Sequence, residues 1–321
     1  MENLARNNVD NVYLNLLKDI LINGVEKDTR SGRVKSVFGR QIRFDLKEGF
    51  PLLTTKRVFY RGVIEELLWF LSGNTNIYPL VSKNVHIWDD DAFRYYKSLS
   101  KDVETKIESK EDFIKAVLEK KTYVFLNKEN KNEALCYKAG DLGPVYGKQW
   151  RSFGDIHPID QIANIIKSLK ENPNDRRMLC VAFNPSDINK MALPPCHVMF
   201  QFYTRELSNG QMGLSCMWTQ RSVDVPCGLP FNISSYAALT YMIAEVVGMI
   251  PDELIGNLGD THIYLNQIDG VNEQLSRKGF TTLPTLSFNR KIHDIDDFKF
   301  EDFNISNYQY DPPIKYALNV G

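Results

Sequence analysis

The chain reads HVMFQFYTRE at residues 197–206 and MGLSCMWTQRS at 212–222, and PFNISSYAALTYMIAEVVG follows at 230–248. The first two runs are strand-like and are separated by the turn residues Asn209 and Gly210, so they predict a β-hairpin. The third run is apolar on several faces, which is typical of a helix buried at the centre of a domain. We therefore expect this helix to pack across the sheet that contains the hairpin.

The flanking sequence extends this core without a repeated alternation of strands and helices. RMLCVAF at 177–183 predicts another strand, and VFGRQIRFDL at 37–46 has the apolar and polar alternation of a half-buried strand. Asp10 is a candidate cap for the first helix. Helical spacing predicts helices over 12–23, 63–73 and 158–172. Because strands and helices come in blocks, we predict an α+β fold with a mostly antiparallel or mixed sheet against the long buried helix.

The domain organisation is expected to be simple. No repeat or flexible linker argues for two domains, so residues 1–321 are interpreted as one catalytic domain. The segment at about 94–138 is rich in lysine and glutamate and contains one helix-like patch, which indicates a surface insertion.

Composition excludes several classes of protein. There are 39 lysines and arginines against 40 aspartates and glutamates, so no global charge attracts a nucleic acid or an anionic membrane. No apolar stretch approaches the roughly 20 residues that span a bilayer, and the N-terminus has no signal-peptide pattern. The five cysteines form no CxxC pair, which favours a reducing compartment. We expect a cytoplasmic protein.

The run LPPCH places Cys196 after two prolines and before His197. A lone cysteine is more often a buried structural thiol than a nucleophile, and that interpretation is kept for Cys136, Cys180 and Cys216. What favours a chemical role for Cys196 is the group of polar residues in the next 40 positions.

The run QRSVDVPCGLPFN places Gln220, Arg221, Ser222 and Asp224 in an otherwise apolar stretch. An arginine beside a serine suits a phosphate, and the arginine can also lower the pKa of a nearby thiol. The alternative is an ion pair between Arg221 and Asp224 that closes a turn.

Asn232 has an amide that donates and accepts at once, which matches N3–H and O4 of uracil, although asparagine is also a common helix cap. Arg176 and Arg177 suit a second phosphate contact or form a solvated basic pair. His262 and Tyr264 lie on one side of a predicted strand, where they either bind a ribose hydroxyl or contact each other.

Together these strings resemble the folate-dependent, cysteine-using thymidylate synthase family over nearly the whole chain. The matching motifs are TRSG (29–32), GFPLLTTKR (49–57), EELLWFLSGNTN (65–76), HIWD (86–89), GDLGPVYGKQWR (140–151), DRR (175–177), MALPPCH (191–197), QRSVD (220–224), GLPFN (228–232), GDTHIY (259–264) and FEDF (300–303).

The resemblance implies that Cys196 adds to C6 of deoxyuridylate (dUMP), because C5 alone is too weak a nucleophile to attack a folate methylene. Arg221 would activate the thiol and contact the nucleotide phosphate. The family is homodimeric, so the phosphate site would draw on both subunits. Its other residues would be Arg30 and Ser222 from the same subunit and Arg176 and Arg177 from the partner.

The remaining roles also follow from the resemblance. The dUMP-binding residues would further include Gln220, Asn232, His262 and Tyr264. Glu66, Tyr146 and His197 would belong to the proton-transfer network. Asp224 would bind the pterin and take part in catalysis, while the folate contacts would include Trp88, Gly228 and Phe231. The co-substrate would be 5,10-methylenetetrahydrofolate, with no metal, flavin or nicotinamide.

Departures from the family pattern surround this site. The chain ends Asn319-Val320-Gly321 in place of a usual terminal Ala-Val, Cys227 replaces a usual leucine and Gln267 replaces a usual histidine. Hydride addition to the methylene intermediate gives thymidylate (dTMP), and water addition gives 5-hydroxymethyl-dUMP. The altered tail and Cys227 favour water, whereas the retained Trp88 favours hydride, because an aromatic near the intermediate helps to exclude water, and the leading prediction is a thymidylate synthase. The first alternative is a dUMP hydroxymethyltransferase, found in viruses that make modified DNA, in which case the location is the host cytoplasm. The second is a silent homologue that binds nucleotide or RNA.

Overall fold

The computed structural model describes residues 6–100, 107–126 and 134–319. Within these ranges the helices are α1 Asn8–Asn23, α2 Tyr60–Leu71, α3 Tyr78–Val81, α4 Asp89–Leu99, α5 Lys110–Leu118, α6 Tyr146–Arg151, α7 Gln161–Glu171, α8 Leu229–Val247 and α9 Ile268–Ser276. The strands are β1 Val25–Thr29, β2 Gly32–Asp45, β3 Thr122–Leu126, β4 Ala134–Lys138, β5 Leu179–Val181, β6 His197–Glu206, β7 Met212–Asp224, β8 Ile250–Tyr264, β9 Thr285–Phe288 and β10 Phe303–Ser306.

The main sheet has the order β1-β2-β8-β7-β6-β5. The pairs are antiparallel except β7 with β8, which is parallel. The predicted hairpin is present as β6 and β7, and the predicted α+β class with a mixed, mainly antiparallel sheet is confirmed. The strand predicted to carry His262 and Tyr264 is β8, which begins at Ile250 and therefore extends well before the GDTHIY motif (259–264).

The long apolar helix α8 packs across this sheet as predicted. Tyr236 of α8 stacks on Trp218 of β7, with ring centroids 5.5 Å apart and planes 9° from parallel. Gly256 of β8 lies opposite Trp218, and a Cβ at this glycine would come within 2.5 Å of the indole ring. The missing side chain therefore lets the indole approach the β8 backbone closely beneath the helix.

The opposite face of the sheet carries apolar side chains that are only partly buried. The strand registers align them in rows across four strands, and they are Leu179, Val181, Met199, Met217 and Ile255. Tyr203, on the same face of β6, is 65% exposed. The sheet thus has a covered face under α8 and a second face, on which these apolar side chains share their rows with Gln201, Thr219 and Asn257, that no helix of the described chain fully covers.

Asp10 has a different role from the predicted helix cap. Asn7 caps α1, and its side-chain oxygen accepts the backbone N–H of Asp10 at 2.8 Å. The Asp10 carboxylate is fully buried and accepts hydrogen bonds from the backbone N–H and hydroxyl groups of both Thr54 and Thr55. This carboxylate therefore joins the loop before α2 to the first helix.

The segment predicted as a surface insertion contains α5, the β3–β4 hairpin and part of α4, while 101–106 and 127–133 lie outside the described residues. Aromatic side chains from these elements pack together, and they are Tyr96, Phe113, Phe125 and Tyr137. No helix within the described ranges has both the length and the apolar character needed to cross a membrane.

Candidate active site

Cys196 lies immediately before β6, in a loop that Arg221 of β7 holds in place. The Arg221 guanidinium donates to the carbonyl oxygens of Pro194 and Pro195, both at 2.8 Å, and its Nη2 lies 3.8 Å from the Cys196 sulfur. The Arg221 backbone N–H also donates to the Cys196 carbonyl at 2.8 Å. The predicted pairing of cysteine and arginine is therefore present, and the alternative ion pair between Arg221 and Asp224 is not formed.

The groups around the Cys196 thiol have opposing effects on its pKa. Burial raises the pKa of Cys196, Arg221 opposes this rise, and the carboxylate of Asp91 adds to it. The thiol therefore stays protonated at neutral pH, with a cation within reach of the sulfur to stabilise the thiolate once a substrate arrives.

Tyr146 and His197 form a neutral network behind the cysteine. The Tyr146 hydroxyl oxygen accepts the Cys196 backbone N–H at 2.8 Å, and its ring stacks on His197 with centroids 4.2 Å apart. His197 Nδ1 is hydrogen-bonded to the Tyr236 hydroxyl at 2.7 Å. Burial raises the pKa of Tyr146 and lowers that of His197 to about 3, so both groups are uncharged at neutral pH.

Glu66 of α2 accepts a hydrogen bond from the indole N–H of Trp88 at 2.7 Å. Burial raises the pKa of Glu66 to about 7, against the opposing effect of this bond. The Trp88 ring also contacts Tyr146, with centroids 6.1 Å apart. Glu66 is thus a carboxyl group that both gains and loses a proton near neutral pH, close to the buried phenol.

The amide of Asn232, in the first turn of α8, is oriented by a chain of hydrogen bonds. The Trp218 indole N–H donates to Gln220 Oε1 at 3.1 Å, and Gln220 Nε2 donates to Asn232 Oδ1 at 2.9 Å. An indole N–H only donates, so the bond to Trp218 sets which way both amides face. The Nδ2 group of Asn232 can therefore donate a hydrogen bond to a ligand. Its neighbour Oδ1 can accept one, because only one of its two lone pairs is used by Gln220.

Asp224 lies at the end of β7, close to the C-terminal tail. Burial raises the pKa of Asp224, and the hydrogen bonds from Gln267 Nε2 at 2.9 Å and the Cys227 backbone N–H at 3.1 Å oppose this. Gly228 immediately precedes α8 and donates its backbone N–H to the Asp224 carbonyl at 2.8 Å. Phe231 lies one turn further along the chain, in α8, and its ring is close to α2. A Cβ added at Gly62 of α2 would lie 3.6 Å from the Phe231 ring.

Two departures from the family pattern contact each other here. Gln267 Nε2 lies 3.4 Å from the Cys227 sulfur and donates to the Ala317 carbonyl of the tail at 2.9 Å. Asn319 forms a reciprocal amide pair with Asn266, at 3.0 and 3.2 Å. The last two residues of the altered terminus, 320–321, lie outside the described residues.

The predicted phosphate and ribose residues fall into two groups. Ser222 on β7 and His262 and Tyr264 on β8 are near one another, since Ser222 pairs with Asp260 and the two rings meet edge to face at 5.3 Å. Arg30 is exposed in the turn between β1 and β2, at the same side of the sheet.

The paired arginines lie beyond the opposite edge of the sheet. Arg176 and Arg177 precede the edge strand β5, which four strand spacings, about 20 Å, separate from β2. Arg177 is bound to Asp175, whereas no hydrogen bond or ion pair holds the Arg176 guanidinium among the described residues. Within one subunit the paired arginines and Arg30 therefore lie toward opposite edges of the sheet.

Lys56 lies beside the site, although no sequence pattern predicts a role for it. Its ammonium group is buried, donates to the Pro226 carbonyl and lies 4.6 Å above the Tyr316 ring. Burial lowers the pKa of Lys56 to about 8. It belongs to the matched run GFPLLTTKR, but only the fold brings it beside Asp224 and the tail.

The fold and the site have relatives among known proteins. A family model described as thymidylate synthase matches residues 11–320. The chain is also 44% identical over 309 residues to the thymidylate synthase of Malacoplasma penetrans (strain HF-2), covering 96% of this chain and 99% of the relative. The chain belongs to the thymidylate synthase family. These similarities confirm the leading prediction and do not favour the hydroxymethyltransferase alternative.

Proposed function

We propose that the chain converts dUMP and 5,10-methylenetetrahydrofolate into dTMP and dihydrofolate through a covalent bond between Cys196 and C6 of uracil. The observation that carries this proposal is the position of the Cys196 sulfur 3.8 Å from the Arg221 guanidinium, in a loop that the same guanidinium holds. The fixed cation supports thiolate formation when the nucleotide arrives.

The first step forms the sulfur–C6 bond, and the electrons of the C5–C6 double bond move toward O4. Asn232, oriented through Gln220, donates from Nδ2 to O4 and accepts N3–H at Oδ1. Cytosine presents the opposite donor and acceptor pattern at these two positions, so this orientation favours uracil.

The resulting enolate carbon, C5, forms a bond to the folate methylene carbon as the bond from that carbon to N10 breaks, and the C5 proton must then leave. Tyr146 keeps its own proton, because burial raises the pKa of its phenol. We infer that it orients a water molecule that removes the C5 proton and does not act as a base itself. Glu66, with a pKa of about 7, exchanges protons with the water near O4 and the folate, and His197 supports this network as a neutral group.

The folate is proposed to lie between Trp88 and Phe231, with Asp224 accepting hydrogen bonds from the pterin ring and Gly228 allowing close approach at the start of α8. Burial of the Asp224 carboxylate supports this role, because a buried acceptor discriminates strongly in favour of a ligand that supplies donors. Elimination of the folate leaves a methylene group on C5, and hydride from tetrahydrofolate converts it to methyl.

Arg176 and Arg177 are proposed to complete the phosphate site of a partner subunit in a homodimer, while Arg30, Arg221 and Ser222 bind the phosphate of their own subunit. His262 and Tyr264 are proposed to bind the ribose hydroxyl. The support for the dimer is twofold: β5, which Arg176 precedes, lies about 20 Å across the sheet from β2, and the face of the sheet away from α8 carries partly buried apolar side chains.

The chain is proposed to work as one catalytic domain over 1–321, with the segment 94–138 as an insertion outside the chemistry. We further propose a cytoplasmic location, or the host cytoplasm for a viral protein. All five cysteines are free, which suits a reducing compartment.

The proposed reaction is tested by following dihydrofolate absorbance while the nucleotide product is identified by mass spectrometry. Equal amounts of dihydrofolate and dTMP support the proposal. Hydroxymethyl-dUMP without dihydrofolate would overturn the hydride step and leave the covalent step intact. Full turnover by Cys196→Ser would overturn the covalent step itself.

A further inference from the structure

We propose that Gln267 is a positioning residue that couples closure of the C-terminal tail to Asp224. This inference rests on the proposed function, because Asp224 is the proposed pterin acceptor. It concerns a residue that does not contact the proposed nucleophile and that touches the predicted nucleotide-binding residues only through the backbone N–H of Tyr264.

The orientation of the Gln267 amide is set by the backbone. Its Oε1 accepts the N–H of Tyr264 at 3.0 Å, and a backbone N–H only donates, so the amide nitrogen must face the other way. The nitrogen carries two hydrogens and lies 2.9 Å from both Asp224 Oδ2 and the Ala317 carbonyl oxygen. One amide group thus binds the proposed folate-binding carboxylate and the tail at the same time.

The tail is held at further points on either side of Ala317. The Tyr316 hydroxyl donates to Gln274 Oε1 at 2.7 Å, and Lys56 lies over the Tyr316 ring. Asn319 pairs reciprocally with Asn266, and its Oδ1 lies 3.8 Å from the place where a Cβ would sit on Gly32. Residues 316–319 therefore run from the neighbourhood of Asp224 to the hairpin that carries Arg30.

The energetic consequence follows from burial. Gln267 is 1% exposed, so water does not easily reach its side chain. If the tail opened, one hydrogen of the Gln267 amide would lose the Ala317 carbonyl as its acceptor and would have no water to replace it. A hydrogen bond to Asp224 that fixes the amide also fixes the direction of its second hydrogen. Binding of a ligand by Asp224 and docking of the tail are therefore expected to support each other.

The chemical consequence is the fate of the methylene group on C5. With the tail docked, hydride adds to the methylene, the electron pair returns through the enolate, and C6 releases the Cys196 thiolate, leaving dTMP and dihydrofolate. With the tail open, water adds its hydroxyl to the methylene, its proton passes to the released thiolate, and tetrahydrofolate stays reduced. The coupling through Gln267 favours the first outcome.

The test uses Gln267→Glu, which keeps an oxygen for the Tyr264 N–H and removes both donors toward Asp224 and Ala317. We expect the KM for methylenetetrahydrofolate to rise about tenfold, the cost of losing a hydrogen bond to a charged group, while the dUMP Kd stays within about twofold. The ratio of dTMP formed to C5 tritium released should fall, with hydroxymethyl-dUMP making up the difference. Carboxypeptidase should remove the C-terminal residues faster.

Two further variants separate positioning from a general structural role. Gln267→His, which restores a ring N–H donor, should recover the product ratio, and Gln267→Met should lose it without adding a charge. Gln211→Glu is the matched control, because this exposed glutamine contacts neither Asp224 nor the tail.

A wild-type product ratio and folate KM in both Gln267→Glu and Gln267→Met would overturn the proposed coupling. A parallel loss of dUMP binding and thermal stability in these variants, without a change in product ratio, would also overturn it. A wild-type enzyme that makes no dTMP would instead contradict the proposed function.

Discussion

The side-chain nitrogen of Gln220 donates to the side-chain oxygen of Asn232 at 2.9 Å. This contact joins the core of the protein to the amide that we propose reads the base, because Gln220 Oε1 accepts the indole N–H of Trp218, which stacks under α8. The Asn232 amide, which we propose reads the base, is thus oriented by Trp218, whose side chain is fully buried. The predictions below begin with this relationship.

Gln220→Glu should reverse the orientation of Asn232. The carboxylate still accepts the Trp218 N–H but now accepts from Asn232 Nδ2 as well, which turns the amide toward the pattern that cytosine requires. We expect the preference for dUMP over dCMP, measured as the ratio of Kd values, to fall by about 10- to 100-fold, which corresponds to about 1–3 kcal/mol. An unchanged ratio would show that Gln220 does not orient Asn232.

Arg221→Gln should make Cys196 less reactive. Burial already raises the pKa of this thiol, and removing the guanidinium removes the effect that opposes the rise. We expect iodoacetamide to alkylate Cys196 about tenfold more slowly at pH 8, in a Cys136→Ser background that removes an exposed thiol. Adding Cys196→Ser to each protein shows which part of the alkylation comes from Cys196, because that part disappears. Equal alkylation rates in the two proteins would contradict activation by Arg221.

Glu66→Gln should change the dependence of both activity and stability on pH. The folded-state pKa of Glu66 is about 7 and its ordinary value is 4.5, so ionisation favours the unfolded chain as pH rises from about 4.5 to 7. Relative to the wild type, the variant should therefore gain about 3 kcal/mol of unfolding free energy between pH 4 and pH 8. Its kcat should fall and lose the inflection near pH 7. Urea unfolding and pH–rate profiles measure the two effects.

Asp10→Ala should strongly destabilise the fold, because it leaves the buried N–H and hydroxyl donors of Thr54 and Thr55 without their acceptor. We expect the free energy of unfolding in urea to fall by about 3–5 kcal/mol. Asp19→Ala provides the control, since Asp19 makes a partly exposed ion pair with Arg40 and should cost about 1 kcal/mol or less. Equal losses in the two variants would contradict this role for Asp10.

Arg176→Ala and Cys196→Ser should complement each other when their subunits are mixed. Each variant alone is expected to lose most activity, but a mixed dimer contains one site with both an intact Cys196 and an intact Arg176 from the partner subunit. Activity should reappear after joint refolding and be absent from the separate proteins. No recovery in confirmed mixed dimers would place Arg176 in the site of its own subunit, or outside both sites.

Much of the framework could be predicted because local pattern determines it. The β6–β7 hairpin follows from two strand-like runs around Asn209 and Gly210, and α8 follows from its apolar character. Asp10 was predicted wrongly as a cap, because Asn7 and Asp10 are both good capping residues and the choice depends on Thr54 and Thr55, more than 40 positions away. The first residues of β8 were missed because their pairing with β7 and β2 overrides a weak local preference.

The amino-acid sequence by itself determined the family, the candidate nucleophile Cys196 and its partner Arg221, because motif residues keep their order along the chain whatever the fold does with them. The tertiary structure alone decided which way the amides of Asn232 and Gln267 face, and it brought Cys227, Gln267 and Ala317 into contact. The physical reason is that an amide's orientation and a buried group's pKa depend on neighbours from distant parts of the chain, which only packing assembles.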